Sequence, residues 1–402
     1  MIGGTYQRGG CWFEWHLNLA GPGTLDGIAM NSICLNMIVK NEAHVIRRAL
    51  DSVRPLISRW CILDTGSTDG TQDIIREHLK DLPGELHESP WKGFGASRSE
   101  AIELARGQAD YLLFNDADDE LLLPKGFKLP VLKADAYYFY HRLVDLGFMR
   151  MDLVATRCPW RYVGVLHECL ESDMPRSSEI LKGPVIQERR EGARSQDPRN
   201  YERDAELLEQ ALLEEPENAR YAFYLAQSRK DAGQFEAALA AYRRRVAMGG
   251  WDEEVYVSLL RVAQLLETLG RPETEVVQAF LEAYQTRPRR VESLVWLVVY
   301  YRKLEKYHLA LLFAERGLKV LRPGDILLVE EDCYVWRCLD EFAVAASWTG
   351  RHRDALQACD RLLTEGFLPF GEVNRVRANR DREARAVPGA IPLRPEKLPR
   401  RR

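Results

Sequence analysis

Tyr111-Leu112-Leu113-Phe114-Asn115-Asp116-Ala117-Asp118-Asp119 is a short apolar strand signal that runs with one spacer into three carboxylates. Two runs of the same kind lie upstream. Ile33–Val39 breaks at Lys40-Asn41-Glu42, and Trp60–Leu63 ends on Asp64 before the turn Thr65-Gly66-Ser67-Thr68-Asp69-Gly70. Between these runs, Val45, Ile46, Ala49, Leu50 and Val53 form one helical face that Pro55 stops. After the turn, Ile74, Ile75 and Leu79 repeat that pattern, with Asp69 placed as the N-cap and Gln72 as its partner. Strands alternating with helices predict a mostly parallel sheet covered on both faces. Ligands of such sheets lie beyond the carboxyl ends of the strands, so Asp64 and Asp116 are expected to face one cleft.

Outward from that stretch the chain changes character. Residues 1–29 are Gly-rich and lack periodicity, which reads as an arm or an extension ahead of Met30. Residues 30–195 carry the strand–helix alternation, 200–366 read as helix after helix, and 375–402 form a basic Pro/Arg-rich tail. Within the helical part a cadence recurs: Ala222, Leu225 and Ala226 before Gly233, then Phe235, Ala238, Leu239 and Tyr242. Taking Gly233, Gly270, Glu305 and Gly350 as equivalent gives spacings of 37, 35 and 45. A period near 34 resembles tetratricopeptide repeats, paired antiparallel helices stacked into a superhelix. The long third spacing predicts an extended loop around Arg322–Asp332.

Composition narrows the function classes. Lys plus Arg is 56 against 60 Asp plus Glu, a net charge of −4, which argues against a nucleic-acid binder. The longest apolar stretch, Leu294–Tyr301, falls far short of the roughly 18 residues of a membrane span. No export signal stands at the start, since Glu14, His16 and Asn18 interrupt it. The expectation is a soluble, cytoplasmic protein. Its eight scattered cysteines, without a CxxC, read as reduced thiols.

Three carboxylates at one strand end repel unless something positive sits among them. Mg²⁺ or Mn²⁺ bridging to phosphate oxygens would suit, and a solvated acidic loop is the plainer alternative. Ile38-Val39-Lys40-Asn41-Glu42, then Asp64–Thr71, then the cluster at 116 come in an order and spacing that resemble family 2 glycosyltransferases. The resemblance covers the first 190 residues and implies the Rossmann-like α/β GT-A fold, followed here by the all-α repeat superhelix. Within the family the chain looks most similar to bacterial envelope-sugar transferases and to peptide S-glycosyltransferases with a C-terminal tetratricopeptide arm. The resemblance implies a nucleotide-sugar donor, taken as a UDP-hexose, with Mn²⁺ or Mg²⁺ and transfer with inversion.

Carried over position by position, Val39 and Glu42 match the first-strand site that touches the nucleoside. Asp64 matches the carboxylate that takes a base or ribose donor. Asp116 and Asp118 match the metal-bridging pair, with Asp118 the more direct ligand. Arg98 stands where family members show an Arg-Asn pair, here followed by Ser99, and could clamp diphosphate, neutralise the cluster or sit solvated. Trp91 could cover the donor or cap the core. In Trp160–Glu168, which resembles the Trp…Gly…His-Glu stretch of envelope-sugar transferases, Glu168 is assigned as base and His167 as a metal or diphosphate contact. The reverse assignment stays open.

The acceptor is a protein or peptide held by the repeats, or an envelope glycolipid. A peripheral membrane contact through the tail, with ten basic residues against three acidic from Arg375 on, and a homodimer are both open. Two other readings compete: a repeat scaffold with a degenerate transferase domain, and a nucleotidyltransferase. The latter would carry a Gly-rich basic loop after the first strand, where Lys40-Asn41-Glu42 stands instead.

Overall fold

The computed structural model describes residues 31–389 apart from 144, 145, 175 and 366, and the backbone of an N-terminal hairpin, Thr5–Arg8 (β1) with Cys11–Glu14 (β2). The rest of the 1–29 arm and the tail beyond 389 lie outside these residues. By compactness the chain divides into two units, Met1–Ala241 and Tyr242–Arg402.

The first unit is built on Ile33–Val39 (β3). Its odd residues Ile33, Leu35, Met37 and Val39 enter one core layer with Ile46, Leu50 and Ile75. Cys34 enters the opposite layer with Cys61, Ile102, Leu112 and Trp160. Both faces are therefore covered, as the two-residue period of a strand requires. Asn36 is polar in this buried strand, and its amide donates to the carbonyls of Ala101 at 2.7 Å and Cys61 at 3.3 Å.

Around β3 lie Ile46–Val53 (α1), Arg59–Asp64 (β4), Thr71–His78 (α2), Gly84–Glu88 (β5), Phe94–Ala105 (α3) and Tyr111–Phe114 (β6). Then come Glu120–Leu122 (β7), Ala136–Leu143 (β8), Leu146–Ala155 (β9), Trp160–Val163 (β10), Cys169–Ser172 (β11) and Ser178–Gln187 (β12). The sheet order is β5-β4-β3-β6-β9-β8-β12-β7. Its first half is parallel, as expected. From β6 onward it is mixed, with β9 antiparallel to β6 and β8, β12 parallel to β8, and β7 antiparallel to β12. β10 and β11 form a separate hairpin.

Helices follow: Asn200–Glu214 (α4), Ala219–Asp231 (α5), Phe235–Ala247 (α6), Asp252–Thr268 (α7), Glu273–Thr286 (α8), Glu292–Lys303 (α9), Tyr307–Gly317 (α10), Cys338–Trp348 (α11), His352–Thr364 (α12) and Phe370–Ala386 (α13). Two boundaries differ from expectation. The compact unit holding the sheet runs past 195 to Ala241, so α4 and α5 belong with it. Residues 375–386, read as the start of the tail, lie inside α13, where Val376 is buried and Arg375 pairs with Asp340 at 2.8 Å. The described cysteines are free, and burial pushes the thiols of Cys34 and Cys61 up to about 12 and about 11. Among the described residues, no helix is long and apolar enough to cross a membrane.

Candidate active site

Asp64 ends β4 and is fully buried. Its Oδ1 accepts the N–H groups of Gly66 at 2.8 Å and Ser67 at 2.7 Å, the local turn an Asp makes with backbone two residues on. Its Oδ2 has no partner among the described residues. The neighbouring strand ends alongside: the Val39 carbonyl accepts from the N–H and hydroxyl of Thr65 at 2.9 and 3.1 Å. Asn41, at φ +59°, then fastens the two loops, donating its N–H to Ser67 and accepting from Thr68. Asp69 accepts from Thr71 and Ala43 and so ties down the loop after β3, but α2 begins at a Gly70 N-cap without a side-chain cap bond, so the expected Asp69–Gln72 cap does not form.

Glu42 and Asp118 meet beneath the segment after β12. Asp118 Oδ2 accepts the N–H groups of Glu191 at 2.9 Å and Gly192 at 2.8 Å, while Glu42 accepts from Ala193 at 3.1 Å. A Cβ on Gly192 would stand 3.1 Å from Asp118 Oδ2 and 3.2 Å from Glu42 Oε2, so a larger residue would push this cradle apart. Burial and then the charge on Asp118 push the Glu42 carboxyl up to about 7, against the pull of the Ala193 N–H.

Asp116 is held differently. Arg98 reaches its Oδ1 at 2.6 Å and Arg150 its Oδ2 at 3.0 Å. These guanidinium groups hold its carboxyl well below the usual range although burial opposes them. Arg98 Nε also stands 2.7 Å from Glu168 Oε1, so one guanidinium joins the cluster at the end of β6 to the predicted base. Arg150 spans Asp116 and Asp152, the latter at 2.7 Å.

His167 and Glu168 lie in the β10–β11 connection. His167 has φ +50°, its ring stacks on Tyr224 with centroids 3.9 Å apart, and its carbonyl accepts from Arg220 at 2.6 Å. Desolvation and then the charges on Arg220, Arg194 and Arg190 push its pKa down, although the residue keeps an exposed face. Those surroundings suit an anion such as diphosphate better than a metal ion. Trp91 is 42% exposed and meets Phe94 edge-on at 4.6 Å, with Arg194 over the Phe94 ring.

The structure thus gathers the predicted residues into two groups, Glu42 with Asp118 and Asp116 with Arg98 and Glu168. It sets Asp64 at the neighbouring strand end and His167 against α5. A hard cation needs carboxylate oxygens that are not already engaged. Asp118 is engaged through its Oδ2 by backbone N–H groups, and Glu42 beside it is a carboxyl that a nearby cation would keep ionised. Those two fit. Both oxygens of Asp116 hold guanidinium groups, so it acts here as an anchor. Sequence reasoning missed Arg150, Arg48, which donates to the Asp118 carbonyl at 3.1 Å, and the 191–193 backbone, none of which carries a local pattern.

With these strand ends in place, comparison with known proteins becomes informative. Residues 34–125 match the family model described as Glycosyl transferase family 2. This segment is a family 2 glycosyltransferase domain. Over 92 residues the chain is 35% identical to an uncharacterized glycosyltransferase of Rickettsia felis, covering 23% of this chain and 30% of that protein. It is 27% identical over 227 residues to the SPbeta prophage-derived glycosyltransferase SunS of Bacillus subtilis, 49% of each. A TPR repeat-containing protein of Synechococcus elongatus is 29% identical over 265 residues, 60% of this chain and 63% of that one. The chain therefore spans less than two thirds of each of these relatives. Among solved structures, the crystal structure of MamA protein covers 48% of this chain and 90% of its own at 11% identity, with a TM-score of 0.33, too low to bear an argument. After the transferase domain come tetratricopeptide-like helix pairs.

Proposed function

We propose that the chain is an inverting, metal-dependent glycosyltransferase that moves a hexose from a UDP-sugar to a protein or peptide acceptor. The observation that carries this reading is Asp64, whose buried Oδ2 has no partner among the described residues, together with the Glu42–Asp118 carboxylate pair, all inside the segment that matches the family. Asp64 would accept a hydrogen bond from the base or ribose, and the loop 39–42 would line the nucleoside. Asp118 and Glu42 would hold Mn²⁺ or Mg²⁺, which when bound neutralises charge on the departing diphosphate. Arg190, Arg194 and Arg220 give the His167 surroundings a positive field for the same anion. Glu168, oriented by Arg98, takes the acceptor proton as the acceptor atom attacks the anomeric carbon. The bond from that carbon to the diphosphate breaks on the opposite side, giving inversion and a free nucleoside diphosphate.

A melting-temperature titration with nucleoside diphosphates, with and without Mn²⁺, tests the reading. UDP and Mn²⁺ together should raise the melting temperature more than either alone. A curve unmoved by every nucleoside diphosphate at millimolar concentration would overturn it in favour of a scaffold. Labelled hexose recovered in protease-sensitive product identifies a protein acceptor. Label extracted into organic solvent identifies a glycolipid instead.

A further inference from the structure

Behind the Asp116 anchor lies a second group of ligand-type side chains that the transfer reaction does not use. Asp119, His141 and Glu188 offer ligand atoms that all lie within 4.8 Å of one another. They come from three places in the sheet: the loop leading into β7, the middle of β8, and the residue after β12. His141 and Asp152 are fully buried, and the His141 Nε2 to Asp152 Oδ2 distance is 2.7 Å. That contact turns the other ring nitrogen, Nδ1, toward Glu188 Oε1 at 3.1 Å. A metal-bound imidazole uses its far nitrogen in the same way as His141 uses Nε2, donating to an outer carboxylate that fixes its tautomer and raises its basicity.

A separate observation comes from Asp119. Its side chain is 6% exposed, at the end of the loop that carries Asp116 and Asp118. The nearest cation, Arg150, stands at 3.9 Å and is already engaged by Asp116 and Asp152. A buried carboxylate is costly to keep ionised unless a cation stands beside it.

We propose that Asp119, His141 and Glu188 form a buried structural site for a divalent ion of the zinc class, distinct from the Mn²⁺ or Mg²⁺ position at Asp118. One imidazole nitrogen with two carboxylates matches zinc, whereas magnesium and manganese prefer oxygen ligands alone. The 3.1 Å between Nδ1 and Oε1 is close to the separation of two ligands around one ion at roughly 2.0–2.1 Å from each. A small rotation of the Asp119 side chain closes the third edge, and water completes the shell. The ion would lock the chain just after Asp116 and Asp118 to β8 and β12, fixing the acidic loop from below.

The test uses untagged full-length chain stripped by a chelator, then titrated with Zn²⁺ against a chromophoric chelator, with Co²⁺ loading followed by visible absorption. Wild type should take up one tight equivalent. Glu188→Gln should lose it, and Asp119→Asn, of equal size, gives the same reading should Glu188→Gln fail to fold. Asp152→Asn should weaken Zn²⁺ roughly 10- to 100-fold without changing far-UV circular dichroism. Asp118→Ala should keep the equivalent. The proposal is overturned if wild type takes up no tight zinc, which would leave His141 as a proton bridge between Asp152 and Glu188. It is equally overturned if Glu188→Gln and Asp119→Asn retain the equivalent, or if Asp118→Ala abolishes it.

Discussion

At the residue scale, the informative positions are those where a charge interrupts an apolar strand. Asp64, Asp116 and Asp118 were legible because a carboxylate at the end of such a run has no packing reason to be there. The partners that give each its role were not. Arg150 and His141 sit inside strands whose alternation hides a buried ion as readily as it shows a core residue. Asp116, read as a metal bridge, is gripped on both oxygens by Arg98 and Arg150, while Asp118 is held through Oδ2 by the N–H groups of Glu191 and Gly192. Asp118→Ala should therefore abolish metal-dependent donor binding and transfer while leaving the fold intact. Near-normal turnover of that variant in Mn²⁺ buffer would sink the assignment. Glu168→Gln keeps the volume next to Arg98 but cannot take a proton. Transfer should fall roughly 10²- to 10⁴-fold with donor affinity retained. Measuring the two separately also tests the reverse assignment, in which His167→Ala loses transfer and Glu168→Gln does not.

At the scale of elements, the parallel strands and the repeat cadence were readable because both rest on local periodicity. The mixed half of the sheet was not, since the pairing of β12 with β8 and β7 joins residues far apart in sequence. The four positions taken as equivalent share one backbone state: φ is +75° at Gly233, +65° at Gly270, +57° at Glu305 and +78° at Gly350. Three are glycine, which enters that region freely, and Glu305 alone carries a Cβ there. Left-handed backbone costs an L-residue roughly 1–2 kcal/mol, against roughly 0.4–1 kcal/mol of extra unfolded-chain entropy for glycine. Glu305→Gly should thus stabilise the second unit slightly, by up to about 1 kcal/mol, read from its urea midpoint; a lowered midpoint would refute the shared geometry. The long third spacing has its own cause. Its loop is stapled by buried ion pairs, Arg287 to Asp325 at 2.8 Å and Arg290 to Glu292 at 2.7 Å, with Arg290 also donating to the carbonyls of Leu327 and Leu328. Arg290→Ala leaves Glu292 buried without its main cation and should cost about 3–5 kcal/mol in the same measurement.

At the scale of the whole molecule, the change from alternating strands to repeated helices suggested a division near residue 195, yet the first compact unit continues to Ala241. The reason lies in side chains that the helices send back to the site. Tyr224 on α5 stacks on His167, Arg220 donates to its carbonyl, and a Cβ on Gly164 would stand 3.8 Å from the Tyr221 ring. Arg194, one of the cations around His167, is held by Asn200 at 2.7 Å and by Asp204, both on α4. These contacts brace the connection that carries Glu168, whose backbone at His167 is itself in the left-handed region. A fragment of residues 1–248, which keeps α4 to α6, should retain a UDP- and Mn²⁺-dependent rise in melting temperature and slow hydrolysis of the nucleotide sugar. Water needs no groove, so hydrolysis survives while transfer to a large acceptor falls with the loss of the remaining repeats. A fragment of residues 1–195 strips the brace and exposes the surface that α4 and α5 cover, so it should aggregate or lose both responses. Equal donor-dependent stabilisation and equal hydrolysis by the two fragments would show that the first repeat helices contribute nothing to the site.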